Sequence, residues 1–119
     1  MKIIKIINTT PHTIPFQNTV GVFYEVRPCG VIINARPVEE VARTHSSGAK
    51  LVRTRFVADP GSEEALAKLE QENPNAVIVG STAAAQAFPG RVYAPVPAPG
   101  YEEYPPEKKR MRDDKFMVF

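Results

Sequence analysis

Two side chains that suit a nucleotide lie close together after an alanine-rich segment. Phe88 ends the segment STAAAQAF, and Arg91 follows it across a Pro-Gly turn. An aromatic ring offers a flat apolar face to a base, and a guanidinium group forms paired hydrogen bonds with a phosphate. The spacing therefore indicates a candidate ligand site. The sequence leaves open the alternative that Phe88 fills the core and Arg91 lies on the surface.

A second set of candidate residues lies near the C-terminus, in and before the charge run EKKRMRDDK. Arg110 and Arg112 are two residues apart, so they would project alike from an extended segment. Tyr101 and Tyr104 nearby add stacking surfaces. The charges of the run nearly cancel, so a compact ligand with a few phosphates suits it better than a long polyanion. The alternative is that the run is a solvated face.

The turn Gly80-Ser81-Thr82 joins an apolar segment to the alanine-rich one. A strand followed by a helix places free N–H groups and a positive dipole end at such a turn, which predicts a possible secondary anion site. The turn lacks both the lysine of GxxxxGK[ST] and the spacing of GxGxxG. Ser81 as a simple helix cap is the alternative, with the alanines serving close packing of the helix.

The residue types that usually carry catalysis are few. The chain has one cysteine, Cys29, and two histidines, His12 and His45, and their spacing does not bring them together. These three cannot form a four-ligand zinc site within one chain, and one cysteine excludes an intrachain disulfide. There is no paired-carboxylate or Ser-His-Asp pattern. We therefore expect binding rather than catalysis, with no cofactor and no metal.

Length and charge narrow the class of protein. The chain has 119 residues, of which 15 are Lys or Arg and 13 are Asp or Glu, which gives a net charge of +2. This size fits a single domain over residues 1–119, and so small a net charge makes nucleic acid an unlikely partner. The N-terminal stretch MKIIKIINTT lacks a signal-peptide pattern. We expect a cytoplasmic protein.

Local patterns predict an α+β fold, a mainly antiparallel β-sheet with two short helices in a single, oligomeric domain. The first helix begins after a cap at Asp59 or Ser62 and ends at Asn73-Pro74, and the second is STAAAQAF. AVIVGS is a fully apolar strand, so it should be central. EKKRMR suits one helical turn, and the final FMVF should dock on the core or on another copy. The remaining strands are predicted over residues 2–7, 13–16, 20–26, 31–36, 49–58 and 91–96.

Several motifs resemble those of a family of small phage and prophage proteins. The motifs are INTTPH, RPCGVIINAR, VIVGSTAAAQAFPGRVYAPVPAPG and EKKRMRDDKF, which together span nearly the whole chain. Thr9 stands where the family pattern has Leu, and Cys29 stands where it has Ser. Within this family the sequence is similar to the first-described type of Thoeris anti-defence proteins, sponges that sequester the cyclic ADP-ribose signals of bacterial TIR-domain enzymes.

The resemblance implies a non-catalytic, phage-type anti-defence protein in the host bacterial cytoplasm. It implies a homo-oligomer built from dimers, with a hexamer as one form, and pockets between protomers that hold a cyclic nucleotide ligand. An aromatic ring would stack on adenine and arginines would bind the pyrophosphate. We assign these roles to Phe88, Arg91, Arg110 and Arg112, with Tyr101 beside them.

Two other classes of function stay open at this point. One is a hydrolase of a cyclic nucleotide signal, with His12 or His45 as general base. The other is a phage structural or host-interaction protein that has no small ligand.

Overall fold

A computed structural model of the protein describes residues 5–105 and 108–119. Within these residues, neither helix has the length and the apolarity that a membrane-spanning helix needs. In chain order the described elements are β1 (Ile6–Asn8), β2 (Ile14–Gln17), β3 (Phe23–Val26), β4 (Ala35–Thr44), β5 (Lys50–Ala58), α1 (Pro60–Glu72), β6 (Val77–Val79), α2 (Thr82–Ala87), β7 (Ala94–Pro97) and β8 (Met111–Met117).

Helix α1 has the ends that its sequence predicts. The Asp59 side chain accepts a hydrogen bond from the Gly61 N–H at 3.1 Å, which satisfies one of the free donors of the first turn. Ser62, the other candidate cap, is buried, and its hydroxyl accepts a bond from the Asn34 N–H instead. Asn73 ends the helix. The helix packs on the core through Leu66 and Leu69, its buried apolar positions.

The described strands form three groups, and most of their pairings are antiparallel, as predicted. The first group is β1 parallel to β6, and the second is a four-stranded sheet in the order β3-β2-β8-β7. The third is the ribbon β4–β5, which we call the arm. The fold class predicted from the sequence, α+β with two short helices, is thus confirmed.

Strand β6 lies between two hydrophobic cores. Successive side chains of a strand point to opposite faces, so Ile78 enters one core and Val79 the other. Both are buried, so the strand is covered on both faces as predicted, but it pairs with β1 in a two-stranded sheet and is not the central strand of a larger one. The helical core consists of Ile7, Ile33, Leu66, Leu69, Ile78, Ala84, Ala85, Phe88, Val92 and Ala94. The sheet core consists of Ile14, Phe16 and Val79, with Tyr24, Met111 and Phe116 packed against them.

Two predictions of secondary structure need correction. The strand predicted over 31–36 lies further along the chain, over β4, and residues 31–34 are irregular. A helical turn is predicted for EKKRMR. The turn that is present is formed by hydrogen bonds from the N–H groups of Lys108 and Lys109 to the Pro105 carbonyl, and strand β8 begins at Met111. The predictions for residues 1–4 and 106–107 lie outside the described residues.

Strand β8 pairs with β2 and β7, and two of its side chains, on either side of an irregularity in the register with β7, enter the sheet core. Met111 and Phe116 pack there, and the Tyr24 hydroxyl donates a 2.8 Å hydrogen bond to Asp113. Burial and this bond raise the pKa of Tyr24, so the hydroxyl keeps its proton. The predicted docking of FMVF thus holds for Phe116, whereas Met117 and the residues after it are exposed.

Asn8 connects the turn after β1 to the neighbouring segments. Its side chain is fully buried and donates to the carbonyl groups of His12, at 2.7 Å, and Val26, at 3.1 Å. Its amide oxygen accepts bonds from the backbone N–H and the hydroxyl of Thr10. These bonds satisfy the amide donors and the amide oxygen of Asn8, whose burial without hydrogen bonds would be costly.

We expect Asn8→Ala to lower the free energy of unfolding by about 2 kcal/mol, because it removes the hydrogen bonds that this buried side chain makes with the carbonyls of His12 and Val26 and with the N–H of Thr10. Asn8→Asp should also destabilise the fold, since a carboxylate cannot donate to those carbonyls. Urea unfolding measures both changes as a lower midpoint at unchanged slope. Asn75→Ala, at an exposed position, is the control. Equal midpoints for the Asn8 and Asn75 variants would contradict the assigned role.

Candidate functional site

The outer face of the four-stranded sheet carries the candidate site. Strand β2 pairs with β3 so that Gln17 lies opposite Phe23 and Pro15 lies opposite Glu25. The residues between them, Phe16 and Tyr24, point into the sheet core, so this set points outward. Phe23 is 43% exposed, which is unusual for so large an apolar ring within a strand.

Arg110 lies over this face, immediately before β8. Its Cζ atom is 4.7 Å from the centroid of the Phe23 ring and 5.4 Å from that of Tyr101. Its Nη1 atom donates a 3.2 Å hydrogen bond to the side-chain oxygen of Gln17. Ring contacts attract a guanidinium group through its flat face, and they leave in-plane N–H groups free for an anion.

The Tyr101 ring is held in place by the turn Ala98-Pro99-Gly100-Tyr101. The Tyr101 N–H bonds the Ala98 carbonyl at 3.0 Å, and Gly100 has φ +88°. Proline at the second position and a positive φ at the third are the features of a type II turn. The Ala98 N–H in turn bonds the Arg110 carbonyl at 2.7 Å. One turn therefore fixes the backbone beside both candidate residues.

A surface cavity of about 470 Å³ opens beside these groups, a size in the range of small-molecule sites. Three of the side chains that line it are cationic and one is acidic, so its charge favours an anion. The lining residues are Thr13, Pro15, Phe23, Glu25, Tyr101, Lys108, Lys109 and Arg110. We call it the aromatic-basic cavity.

Arg112 lies on the same face as Arg110, as the two-residue spacing predicts, because β8 pairs it with Gln17. Its guanidinium forms two hydrogen bonds with Asp114, of 2.8 and 2.7 Å. These bonds raise the pKa of Arg112 and lower that of Asp114, so both groups stay charged. Arg112 borders a smaller cavity of about 230 Å³, beside Gln17 and Ala98. A ligand would have to compete with Asp114 for it.

Phe88 and Arg91 lie together, with the Arg91 Cζ atom 5.8 Å from the ring centroid. The ring is only 2% exposed and belongs to the helical core. Arg91 bonds two carboxylates of α1, Glu63 at 2.8 Å and Glu70 at 2.6 Å. These bonds raise the pKa of Arg91. Both side chains are thus engaged by other atoms of this chain, and their role in ligand binding stays a prediction.

The turn Gly80-Ser81-Thr82 borders a third cavity, of about 560 Å³. The Gly80 N–H donates to the Tyr93 carbonyl, and the Ser81 hydroxyl accepts from the Ala84 N–H, as a helix cap does. A Cβ atom at Gly80 would lie 2.7 Å from a methyl carbon of Val92. The geometry therefore accounts for these residues by capping and close packing, and the anion site stays a prediction.

The histidines and the cysteine lie on separate parts of the chain. His12 borders the same cavity as the turn Gly80-Ser81-Thr82. His45 lies at the end of the arm, where its Nδ1 atom is 2.9 Å from the Ser47 hydroxyl. Cys29 is exposed after β3. Over residues 5–105 and 108–119, no three His, Cys, Asp or Glu side chains are grouped so that they could hold a metal ion.

The structure adds residues to the site that the sequence reasoning missed: Phe23, Glu25, Lys108 and Lys109. The pattern Phe23-Tyr24-Glu25 carried a signal, because alternation places the phenylalanine on the same face as a glutamate. A face that holds a glutamate is usually exposed.

Comparison of the chain with family models, with characterised proteins and with solved structures finds no match.

We expect Arg91→Gln to lower the free energy of unfolding by about 1 kcal/mol, because two carboxylates of α1 lose their common partner. The loss relative to the parent should shrink at about 1 M NaCl, where charges are screened within about 3 Å. Thermal or urea unfolding measures both effects. Arg27→Gln, at an exposed position, is the control. An Arg91 variant with unchanged stability but weaker ligand binding would support the ligand role instead.

Proposed function

We propose that the protein binds and sequesters a small nucleotide of the cyclic ADP-ribose type without degrading it. The observation that carries this proposal is the Arg110 guanidinium, which lies over two aromatic rings in the aromatic-basic cavity. The nucleotide class comes from the chemistry of this cavity. The cyclic ADP-ribose type and the anti-defence role come from the resemblance of the sequence motifs.

The cavity combines the two kinds of contact that a nucleotide needs. The rings of Phe23 and Tyr101 offer apolar surface for a base, which stacks on aromatic side chains regardless of its identity. Arg110, Lys108 and Lys109 supply positive charge for phosphates. A purely apolar ligand would leave these cations without a partner, and inorganic phosphate would leave the rings uncovered.

Glu25 explains why a ribose would suit the same cavity. A carboxylate among three cations weakens the binding of a simple polyanion, because it repels phosphate. A carboxylate is, however, the group that accepts hydrogen bonds from ribose hydroxyls in many nucleotide sites. Glu25 therefore favours ligands in which a sugar separates the base from the phosphates.

A cyclic ligand also reduces the cost of binding. Such a ligand is rigid, so it loses little conformational entropy when it enters a cavity that is already formed. Stacking contributes about 1–3 kcal/mol for each base, and charge-assisted hydrogen bonds add to it. Contributions of this size are consistent with nanomolar affinity, about −12 kcal/mol, if several act together.

We expect Arg110→Ala to weaken the binding of cyclic ADP-ribose about 10- to 100-fold, because one charge-assisted contact is worth about 1.5–3 kcal/mol. Isothermal titration measures the change in Kd. Arg53→Ala, on the arm, removes the same charge away from the cavity and is the matched control. Equal affinities for the two variants would exclude the aromatic-basic cavity as the site.

We expect Tyr101→Ala to weaken the same binding by at least about tenfold, because a stacking surface is lost. Tyr101→Phe keeps the ring and should bind within about threefold of the parent, since the stacking interaction does not need the hydroxyl. If the alanine variant binds as well as the phenylalanine variant, the tyrosine ring takes no part in recognition.

Recovery of the ligand separates sequestration from hydrolysis. After incubation with cyclic ADP-ribose and denaturation of the protein, we expect the ligand intact and in full yield. Altered ligand would support the hydrolase alternative, for which His12 is the nearer base, because its cavity shares Thr13, Pro15 and Lys109 with the aromatic-basic cavity. A thermal-shift screen in which no nucleotide stabilises the protein would favour the class without a small ligand.

A further inference from the structure

The arm is exposed along most of its length. From position 39 to position 55 every residue is exposed to solvent, including the turn at its end. Its base is packed, where Ala58 contacts the helical core and β5 lies beside α2. A ribbon of two strands, about 10 Å thick with its side chains, is therefore accessible on both faces beyond its base.

The positive charge of the protein is concentrated on the arm. Residues 35–58 carry five Lys or Arg and two Glu side chains, a net charge of +3. The rest of the chain carries ten Lys or Arg and eleven Asp or Glu, a net charge of −1. The small net charge of the whole chain, from which nucleic acid is expected to be an unlikely partner, conceals this separation.

One face of the arm carries all of this excess. Residues that pair across an antiparallel ribbon share a face, and successive side chains of a strand alternate between faces. We call one of the two faces the arginine face, and its pairs are Arg36–Val57, Val38–Arg55, Glu40–Arg53 and Arg43–Leu51. Its four arginines and one glutamate give a net charge of +3. The opposite face carries Glu39 and Lys50, whose charges cancel.

The arginines of this face are accessible to an anionic partner. All four are exposed. Over residues 5–105 and 108–119, one of the four forms an ion pair, Arg55 with Glu40 at 3.1 Å. Arginine forms two parallel hydrogen bonds with a phosphate group. Arg53 and Arg55 lie two residues apart on β5, so their guanidinium groups project alike, about 6.8 Å from one another along the strand.

We propose that the arginine face binds double-stranded DNA, with the arm in the major groove. The shape of the arm selects this partner among the nucleic acids. The major groove of B-form DNA is about 12 Å wide and admits a two-stranded ribbon, whereas that of double-stranded RNA is deep and narrow. Single strands are bound by stacking on aromatic side chains, and none of the eight residues of the arginine face is aromatic.

The distribution of charge on this face favours DNA over an acidic protein. The cores of protein–protein interfaces are depleted of charged residues. On the arginine face every one of the four pairs includes a charged residue, so the face has no apolar centre. Duplex DNA presents phosphates on both sides of its groove whatever its sequence. Binding of this kind, without readout of bases, has a dissociation constant of about 1–100 μM at physiological salt.

Salt dependence and an alanine variant test the proposal. Fluorescence anisotropy measures binding of the full chain to a labelled duplex of about two helical turns over a series of NaCl concentrations. We expect log K to fall with log [NaCl] with a slope of about −3, because Arg36, Arg43 and Arg53 displace counterions. Arg53→Ala should weaken binding about tenfold and reduce the slope by about 1. Arg27→Ala, at an exposed position outside the arm, should leave both unchanged. Equal results for the two variants overturn the proposal, as does a parent slope near zero.

Adjacent glutamates on opposite faces provide a matched pair. Glu40→Gln removes a carboxylate from the arginine face and releases Arg55, so we expect DNA binding to tighten about three- to tenfold. Glu39→Gln makes the same change on the opposite face and should stay within about twofold of the parent at about 0.15 M NaCl, where the Debye length is about 8 Å. Equal tightening by both variants overturns the assigned face. Circular dichroism verifies that all variants are folded.

Competing anions test the choice of partner. We expect the DNA duplex to bind at least about fivefold more tightly than single-stranded DNA, double-stranded RNA or polyglutamate of equal charge, because the last three offer no groove of suitable width. Equal affinity for the RNA duplex or for the single strand overturns the placement of the arm in the major groove. Equal affinity for polyglutamate indicates an acidic protein as the partner instead and overturns the proposal.

Discussion

The buried side chain of Asn8 is the interaction on which the arrangement of the described chain depends. It lies where β1 ends, and its donors reach the carbonyls of His12 and Val26, which precede β2 and end β3. The next residue, Thr9, bonds the Val79 carbonyl of β6 through both its N–H and its hydroxyl. Adjacent polar residues thus connect the β1–β6 pair to the four-stranded sheet. Because both side chains are buried and their bonds reach separate strands, these bonds favour one relative position of the two cores.

The parts of the fold that the sequence predicted are those with local signals. Helix α1 has a cap at Asp59 and an end at Asn73, and β6 is apolar throughout, so both were evident without knowledge of the rest. Strand β4 was misplaced because neither of its faces is covered along most of its length. Two adjacent polar residues, Glu39 and Glu40, interrupt the alternation of apolar and polar residues that identifies a strand. Strand β8 was missed because Asp113 lies at an inward position that only its bond to Tyr24 explains.

The candidate site was partly predictable for a similar reason. Arg110 and Tyr101 are held near one another by a short turn and a backbone bond through Ala98, so nearness in the sequence became nearness in space. Phe88 and Arg91 are also neighbours, but the direction of their side chains depends on α1. Glu63 and Glu70 draw Arg91 toward that helix, and the core takes up the ring. Phe23 comes from a strand distant in sequence, and its contact with Arg110 depends on the pairing of β2 with both β3 and β8.

The position of the cavity follows from how the sheet is anchored. Its inner face is fixed by Phe16, which is fully buried and stacks on Tyr24 with ring centroids 5.9 Å apart. Because inward and outward residues alternate along β3, holding Tyr24 also holds the backbone that carries Phe23 outward. Arg110 lies on rings whose supports are already packed, so the proposed ligand would meet a guanidinium whose orientation is set before binding. Such preorganisation would reduce the ordering cost of binding the proposed ligand, compared with a mobile surface that carries the same charges.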